Sequence, residues 1–402
     1  MMKKILFYIL AIGLLLGGCG GREQPNNPEE AFSSSQVMPE YDVQNQYLIL
    51  NASSFLEREG VFLGTDLIGH YLNYYDEASG ISGVLCADPA CTHDSSDCGA
   101  YVETGANLSY YEGKLYWIAK EDPSGHNFYL WRGDLSGRNR EKVKTIDWEE
   151  IILPYQPRWY VVHRGRLYIQ GHTQVVTGTE AGFRVALLST SLDGSEDFTV
   201  LYDETFPLGG QSSVRFVKNG VYLSIELIHD DMTADLTVER YDIAGDTWET
   251  VYEEKGIQEA TRDVWVTEEE EIYIPGSSEN RIYVWKVEDG KRKEVLSWES
   301  EQASSPWISG DVVVSTSRID NIRWVEITTL SGQTLYKGKL FPAGVPGMEI
   351  DPNQSSLSLI GADEEKLILN LLAMDGTDAV DYTIKLDITD SLKPTILWSS
   401  QE

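Results

Sequence analysis

The sequence predicts an all-β fold, a single β-propeller of four-stranded blades, from three observations: a recurring strand–turn–strand unit, turn glycines at matching intervals, and further short strands flanking each copy. The unit is clearest from Gly113 to Gly137. There Gly-Lys-Leu-Tyr-Trp-Ile-Ala-Lys leads through a polar loop to Phe-Tyr-Leu-Trp-Arg-Gly-Asp-Leu-Ser-Gly. β-Branched and aromatic residues bounded by Gly, Asp and Ser make short strands and turns, and no helical period competes.

The second apolar residue of each core strand aligns at Tyr116, Tyr168, Tyr222, Tyr273, Val313 and Ile368, at intervals of 52, 54, 51, 40 and 55 residues. Companion turns end at Gly137, Gly194, Gly245, Gly290 and Gly332, while the last copy reads Asp387-Ile388-Thr389-Asp390 without a glycine. A further strand follows each turn, as in Lys142–Ile146, Phe198–Tyr202 and Trp248–Tyr252; another precedes each core strand, as in Arg158–Val162 and Val214–Val217. Four short strands per period is the pattern of propeller blades, and closing the ring removes exposed strand edges. A β-solenoid would have shorter, more uniform periods, and paired sandwiches would not recur in this way. Six units account for about residues 107 to 398. The segment from Tyr47 to Cys86 supplies strands at Tyr47–Leu50, Val61–Leu63, His70–Tyr75 and Gly83–Leu85, with a turn at Asp76–Gly80. Counted as a blade it makes seven; six blades closed by an N-terminal strand is the runner-up.

At the N-terminus, Lys3-Lys4 and the apolar run Ile5 to Leu16 form the charged and hydrophobic regions of an export signal, too short for a comfortable membrane span. The following Leu16-Gly17-Gly18-Cys19 resembles the bacterial lipobox. The resemblance implies lipidation of Cys19 and cleavage before it. The expected divisions are a lipoprotein signal peptide over 1–18, a flexible tether over 19–40 and the propeller over 41–402. From Gly20 to about Met38 the chain is too polar to bury a core, hence the tether. The expected address is the cell membrane, with the chain held by its lipid anchor and facing outside the cytoplasm; two or more acyl chains hold a protein firmly where one does not.

With 64 acidic against 32 basic residues the formal charge is −32, and no basic run exceeds Lys291-Arg292-Lys293. Nucleic acids are therefore excluded as partners, because their binding rests on cationic neutralisation of phosphates. The acidity reads as a solvated surface. No G-x-S-x-G elbow, P-loop, HExxH pair or G-x-G-x-x-G occurs, and no catalytic residue is assigned. His163 and His172 are expected near a propeller mouth. Glu149-Glu150, Asp230-Asp231 and the run Glu268 to Glu271 read as a solvated rim, since neighbours in a strand face opposite sides. Asp375, Asp378 and Asp381 lack the ligand order of a calcium loop. The 22 tyrosines and 11 tryptophans mostly fall at alternating strand positions, where they pack blade on blade.

The remaining chemistry lies in Cys86-Ala-Asp-Pro-Ala-Cys91-Thr-His93-Asp-Ser-Ser-Asp-Cys98, which holds every cysteine except Cys19. Three thiols and an imidazole match the Cys₃His ligand set of a structural zinc site, although the spacing is that of no standard finger. Cys86, Cys91, His93 and Cys98 are the candidate metal ligands, and structural zinc is the candidate cofactor. A disulfide between two of the cysteines, leaving one free thiol, is the alternative in an exported protein. The odd count favours metal; the oxidising compartment favours the disulfide.

The run Leu85-Cys86-Ala87-Asp88-Pro89-Ala90-Cys91-Thr92-His93, then Cys98, then a Gly-Lys-Leu-Tyr strand and an Asp-Leu-Ser-Gly turn, resembles a family of propeller-like lipoproteins from anaerobic Gram-positive bacteria. Their blades are similar to TolB-like and YWTD-like propellers. The resemblance implies fold and address and transfers no catalytic residue. The expected function is a binding or protein-interaction module that engages a protein or glycan ligand with rim loops. The alternative is an envelope-surface enzyme acting on glycans or peptides, with residues drawn from several blades.

Overall fold

Seven antiparallel sheets, each built from one continuous run of chain, follow one another as the blades of a propeller. The computed structural model describes residues 55–58, 60–65, 70–102, 108–120, 127–147, 150–151, 157–177, 180–207, 209–261, 263–300, 304–348, 350–375 and 378–400. The leader, Cys19, the tether, Tyr47–Leu50 and Glu149 lie outside the described residues, as do the side chains of Asp375 and Asp378.

Blade 1 comprises β1 (Phe55–Arg58), β2 (Val61–Thr65), β3 (Leu72–Asp76) and β4 (Ile81–Val84); blade 2 comprises β5 (Ser109–Tyr111), β6 (Lys114–Lys120), β7 (Phe128–Asp134) and β8 (Glu141–Ile146). Blade 3 holds β9 (Pro157–His163), β10 (Arg166–Thr177), β11 (Glu180–Ser191) and β12 (Thr199–Phe206), and blade 4 holds β13 (Gly209–Val217), β14 (Gly220–Ile228), β15 (Ala234–Asp242) and β16 (Thr247–Ile257). In blade 5 the first strand is split into β17 (Ala260–Thr261) and β18 (Trp265–Val266), both on the same edge of β19 (Ile272–Ser278), followed by β20 (Arg281–Glu288) and β21 (Lys291–Glu299). Blade 6 is β22 (Trp307–Ser309), β23 (Val312–Ile319), β24 (Ile322–Thr329) and β25 (Thr334–Lys339); blade 7 is β26 (Ser356–Ala362), β27 (Lys366–Asp375), β28 (Asp378–Asp387) and β29 (Lys393–Ser399). Seven blades are therefore present, and the six-blade arrangement is excluded.

The aligned residues Tyr116, Tyr168, Tyr222, Tyr273, Val313 and Ile368 all sit, buried, on the second strand of their blades. The unbroken apolar run of β6 follows from burial on both faces. Leu115, Trp117 and Ala119 pack toward blade 1, whereas Tyr116 and Ile118 pack toward blade 3. Fourth strands such as β8 and β12 are half in solvent, so each blade runs from the inside of the ring to its perimeter.

Two of the recurring turn glycines have a packing cause. Gly137 has φ 74°, and a Cβ there would stand 2.3 Å from the carbonyl oxygen of Leu85, in the blade before it. At Gly194, with φ 77°, the corresponding approach is 2.6 Å to the Val143 carbonyl oxygen. These turns lean over the outer edge of the preceding blade, which only a residue without a Cβ permits. Blade 7 meets blade 1 through side chains: Phe55 stacks on Trp398 at 6.1 Å, Lys366 Nζ lies 2.9 Å from Glu57 Oε2, and Lys385 pairs with Glu77.

Candidate metal centre

Blade 1 departs from the regular pattern at its outer strand. β4 pairs with Asn73–Asp76 of β3, and Leu85 extends the pairing by donating its N–H to the Leu72 carbonyl at 2.7 Å. The chain then leaves the sheet and returns to the same edge of blade 1. Leu72 donates to the Ala100 carbonyl at 2.9 Å, Val102 donates to His70 at 2.8 Å, and Tyr71 and Tyr101 form an antiparallel bridge. Residues 86–99 are thus an excursion from the perimeter strand.

Two turns shape it. Asp88-Pro89-Ala90-Cys91 has proline where a β-turn favours its fixed φ; Asp88 Oδ1 accepts from the Ala90 N–H at 2.9 Å, and the Asp88 carbonyl accepts from the Cys91 N–H at 3.2 Å. A second turn brings the Cys98 N–H to the Ser95 carbonyl at 3.2 Å. His93 lies between them with φ 55°, a left-handed conformation that a non-glycine residue adopts at some cost. The turns fold the four ligand residues onto one another.

The three sulfurs and one imidazole nitrogen all lie within 4.8 Å of one another, and His93 Nδ1 is 3.3 Å from Cys98 Sγ. A tetrahedral zinc, with bonds of about 2.3 Å to sulfur and about 2.0–2.1 Å to nitrogen, sets its ligand atoms about 3.5–3.8 Å apart. The donor set fits that ion in type, number and spacing. Cys86, Cys91 and Cys98 are free thiols, with no bond between any two.

Without a metal, the surroundings shift two of the thiols in opposite directions. Burial pushes the Cys98 thiol up, its neighbours Cys91 and Cys86 add to the rise, and the Ala100 N–H, 3.4 Å from Sγ, offsets only part of it. At Cys86 burial is outweighed by hydrogen bonding with the Asp88 backbone and with the Cys98 and Cys91 thiols, and the net shift is downward. Several thiolates so close together repel one another unless a cation is present. A zinc ion would supply that charge and cross-link the two turns. With four protein ligands the shell is closed, the mark of a structural site and not of a catalytic one with an open position.

The centre sits at the seam between blades 1 and 2. Cys98 is 3% exposed and packs in a core cluster with Leu63, Leu72, Leu115 and Trp117. From blade 2, Arg140 Nη1 donates to the carbonyls of Gly99 at 3.1 Å and Tyr101 at 2.6 Å, while its guanidinium lies 4.0 Å from the centre of the Trp131 ring. Arg140 is not among the residues that the sequence singles out. Its only local signal is a basic residue just after the Asp-Leu-Ser-Gly turn, and its role depends on the turn's approach to blade 1.

The other expected positions do not converge. His163 is buried against Phe216, with Nε2 2.8 Å from the Lys218 carbonyl oxygen. His172 lies beyond the opposite end of β9, with Nδ1 2.9 Å from Ser212 Oγ. Glu270 and Glu271 pair separately with Arg240 and Lys286, and Asp231 caps Thr233. Asp381 is buried and accepts from Asn370 Nδ2.

No family profile matches the sequence, and no curated protein matches it. Solved structures do resemble the fold. A prolyl endopeptidase superposes with a TM-score of 0.51 at 16% identity, covering 87% of this chain and 50% of that one. Prolyl oligopeptidase B from Galerina marginata gives 0.52 at 10%, covering 89% and 52%. An oligogalacturonate lyase in complex with manganese gives 0.51 at 14%, covering 86% and 90%. The chain thus spans about half the length of the two peptidases and most of the lyase. At these identities the likeness is one of fold alone: a β-propeller.

Proposed function

We propose that this chain is a lipid-anchored, extracytoplasmic β-propeller that works as a binding or protein-interaction module, with Cys86, Cys91, His93 and Cys98 holding a structural zinc. The observation that carries the reading is the closed Cys₃His shell at the perimeter seam, where Arg140 and the blade 1–2 core already enclose it. A metal held there braces two blades and offers no open coordination position to a substrate. Recognition then falls to loops on a rigid ring, anchored outside the cytoplasm through Cys19 and its tether. The lipobox and the cysteine motif support membership among the TolB-like and YWTD-like propeller lipoproteins.

An envelope enzyme acting on glycans or peptides is the competing reading. It draws on neighbours named as peptidases and a lyase. Against it, the acidic neighbours that could have formed acid/base couples are taken up separately by arginine and lysine. The test combines fractionation with metal analysis. Wild type is expected in the detergent-soluble membrane fraction with one zinc per chain and three alkylatable thiols, and Cys19→Ala in the soluble fraction with its zinc retained. Unaltered membrane retention of Cys19→Ala would reject the anchor; a metal-free chain with a single alkylatable thiol would reject the zinc.

A further inference from the structure

Several arginines of this acidic chain face carboxylates. Arg132 meets Glu141, Arg166 meets Glu196, Arg184 meets Asp203, Arg240 meets Glu249 and Arg292 meets Glu254. Arg318 and Arg323 depart from that pattern. They stand directly opposite each other across the β23–β24 hairpin, on either side of the two-residue turn Asp320-Asn321. Directly opposed side chains leave the same face of a sheet with their Cβ atoms about 4.5–5.5 Å apart, and like charges there are destabilising. Burial lowers the affinity of Arg323 for its proton, and the charge of Arg318 lowers it further.

Among the described residues neither guanidinium has a carboxylate within ion-pair distance. Their contacts are backbone carbonyls of the connection into blade 7: Arg318 Nη2 donates to Asn353 and Arg323 Nη2 to Ser355. Asn353 fixes the arrangement, accepting from the Arg323 N–H at 2.9 Å and held in turn by Asp351. Three buried polar atoms at this one place, Arg318 Nε, Arg323 Nε and Ser355 Oγ, have no hydrogen-bond partner in the protein. Ser355 immediately precedes β26, the first strand of blade 7, which puts the group at the end of an inner strand, on a face of the ring.

We propose that Arg318 and Arg323 form an oxyanion-binding subsite for a small ligand bearing a carboxylate or sulfate group. Two preorganised guanidinium forks match the paired oxygens of such a group, and a bound anion offsets the repulsion of the like-charged pair. A net-negative protein repels anions at long range, so an arginine pair with no carboxylate partner among the described residues is a place where one can be retained. The subsite goes beyond the role proposed for the chain and is independent of the metal centre.

The test is ligand-observed NMR and calorimetric titration of the purified chain with glucuronate, inorganic sulfate and, as the neutral control, glucose. Glucuronate and sulfate are expected to compete with each other, and glucose to give no signal. Arg318→Gln and Arg323→Gln are each expected to weaken binding about tenfold, the loss of roughly one charge-assisted hydrogen bond, and the double variant to abolish it. Glucuronate binding without sulfate competition would make the sugar, and not the oxyanion, the recognised group and would overturn the proposal. So would undiminished binding by a double variant whose circular dichroism matches wild type, or absence of binding by both anions to wild type.

Discussion

With the proposed zinc held by Cys86, Cys91, His93 and Cys98, stripping it is expected to lower the stability of the whole ring. The four ligands span thirteen residues. By loop-closure entropy, a cross-link spanning about 15 residues is worth roughly 3 kcal/mol. Mass action gives a similar figure, about 4 kcal/mol for a ligand present at a thousand times its dissociation constant. Unfolding entropies near 2.1 cal/mol/K per residue, summed over a propeller of this length, convert 3–4 kcal/mol into a melting shift of about 4–5 °C. Scanning calorimetry of wild type and Cys91→Ser, each with and without a zinc chelator, measures it. Wild type should fall by that amount on chelation, while Cys91→Ser starts low and does not respond. Equal chelator shifts in both proteins would refute the reasoning, as would a metal-free wild type lighter by two hydrogens, the signature of a disulfide.

Two further perturbations test the ring itself. Gly137→Ala adds a Cβ 2.3 Å from the Leu85 oxygen at a positive φ, whereas Gly290→Ala adds one at φ 70° with nothing within 4 Å. The second should cost about 1–2 kcal/mol of left-handed strain and the first appreciably more, about 3 kcal/mol or above, by urea unfolding; equal losses would refute the close approach. Acid should also weaken the fold. Asp134 is held below the usual carboxylate range by Lys114 and Asn139, Asp231 by Thr233 and Asp387 by Thr389 and the Asp390 N–H. A depressed folded pKa contributes stability that is complete above the unfolded value near 3.9 and is lost as pH falls through the folded one, so decline is expected below about pH 4. Urea midpoints of Cys91→Ser, in which proton competition at the metal plays no part, should fall on acidification; a rise would refute the assignment.

Legibility in the sequence follows how local each cause is. The second-strand residues Tyr116 to Ile368 could be placed because burial on both faces writes a continuous apolar run between turn signals. The metal ligands could be named because donor type and spacing are local properties of thirteen residues. The return of Ala100–Val102 to the β3 edge could not, because that segment has no turn or period of its own. Arg140 joins the site only through the lean of the blade 2 turn over blade 1. The split of β17 from β18 interrupts what reads as a single first strand. Arg318 and Arg323 were within reach, since a two-residue turn at Asp320-Asn321 makes them directly opposed, but their lack of carboxylate partners among the described residues is a tertiary fact.

A zinc at the proposed centre would brace blade 1, whose strands are short. Its strands have 4, 5, 5 and 4 residues, against 7, 12, 12 and 8 in blade 3. A sheet so small is marginal without support from its neighbours. On the blade 7 side no described strand crosses from one sheet to the other, and the joint rests on a buried apolar cluster of Phe55, Phe62, Ile360, Ile368, Leu397 and Trp398, with two lysine–glutamate pairs beside it. Partly exposed ion pairs of that kind contribute little, so closure there depends mainly on the apolar cluster. The opposite seam has an apolar cluster of its own, and it is there that the chain adds Arg140, the Trp117–Trp131 stack and the Cys₃His ligands. A cross-link in blade 3, already braced by long ladders, would change little. In blade 1 it secures the element through which the first and last parts of the ring are joined.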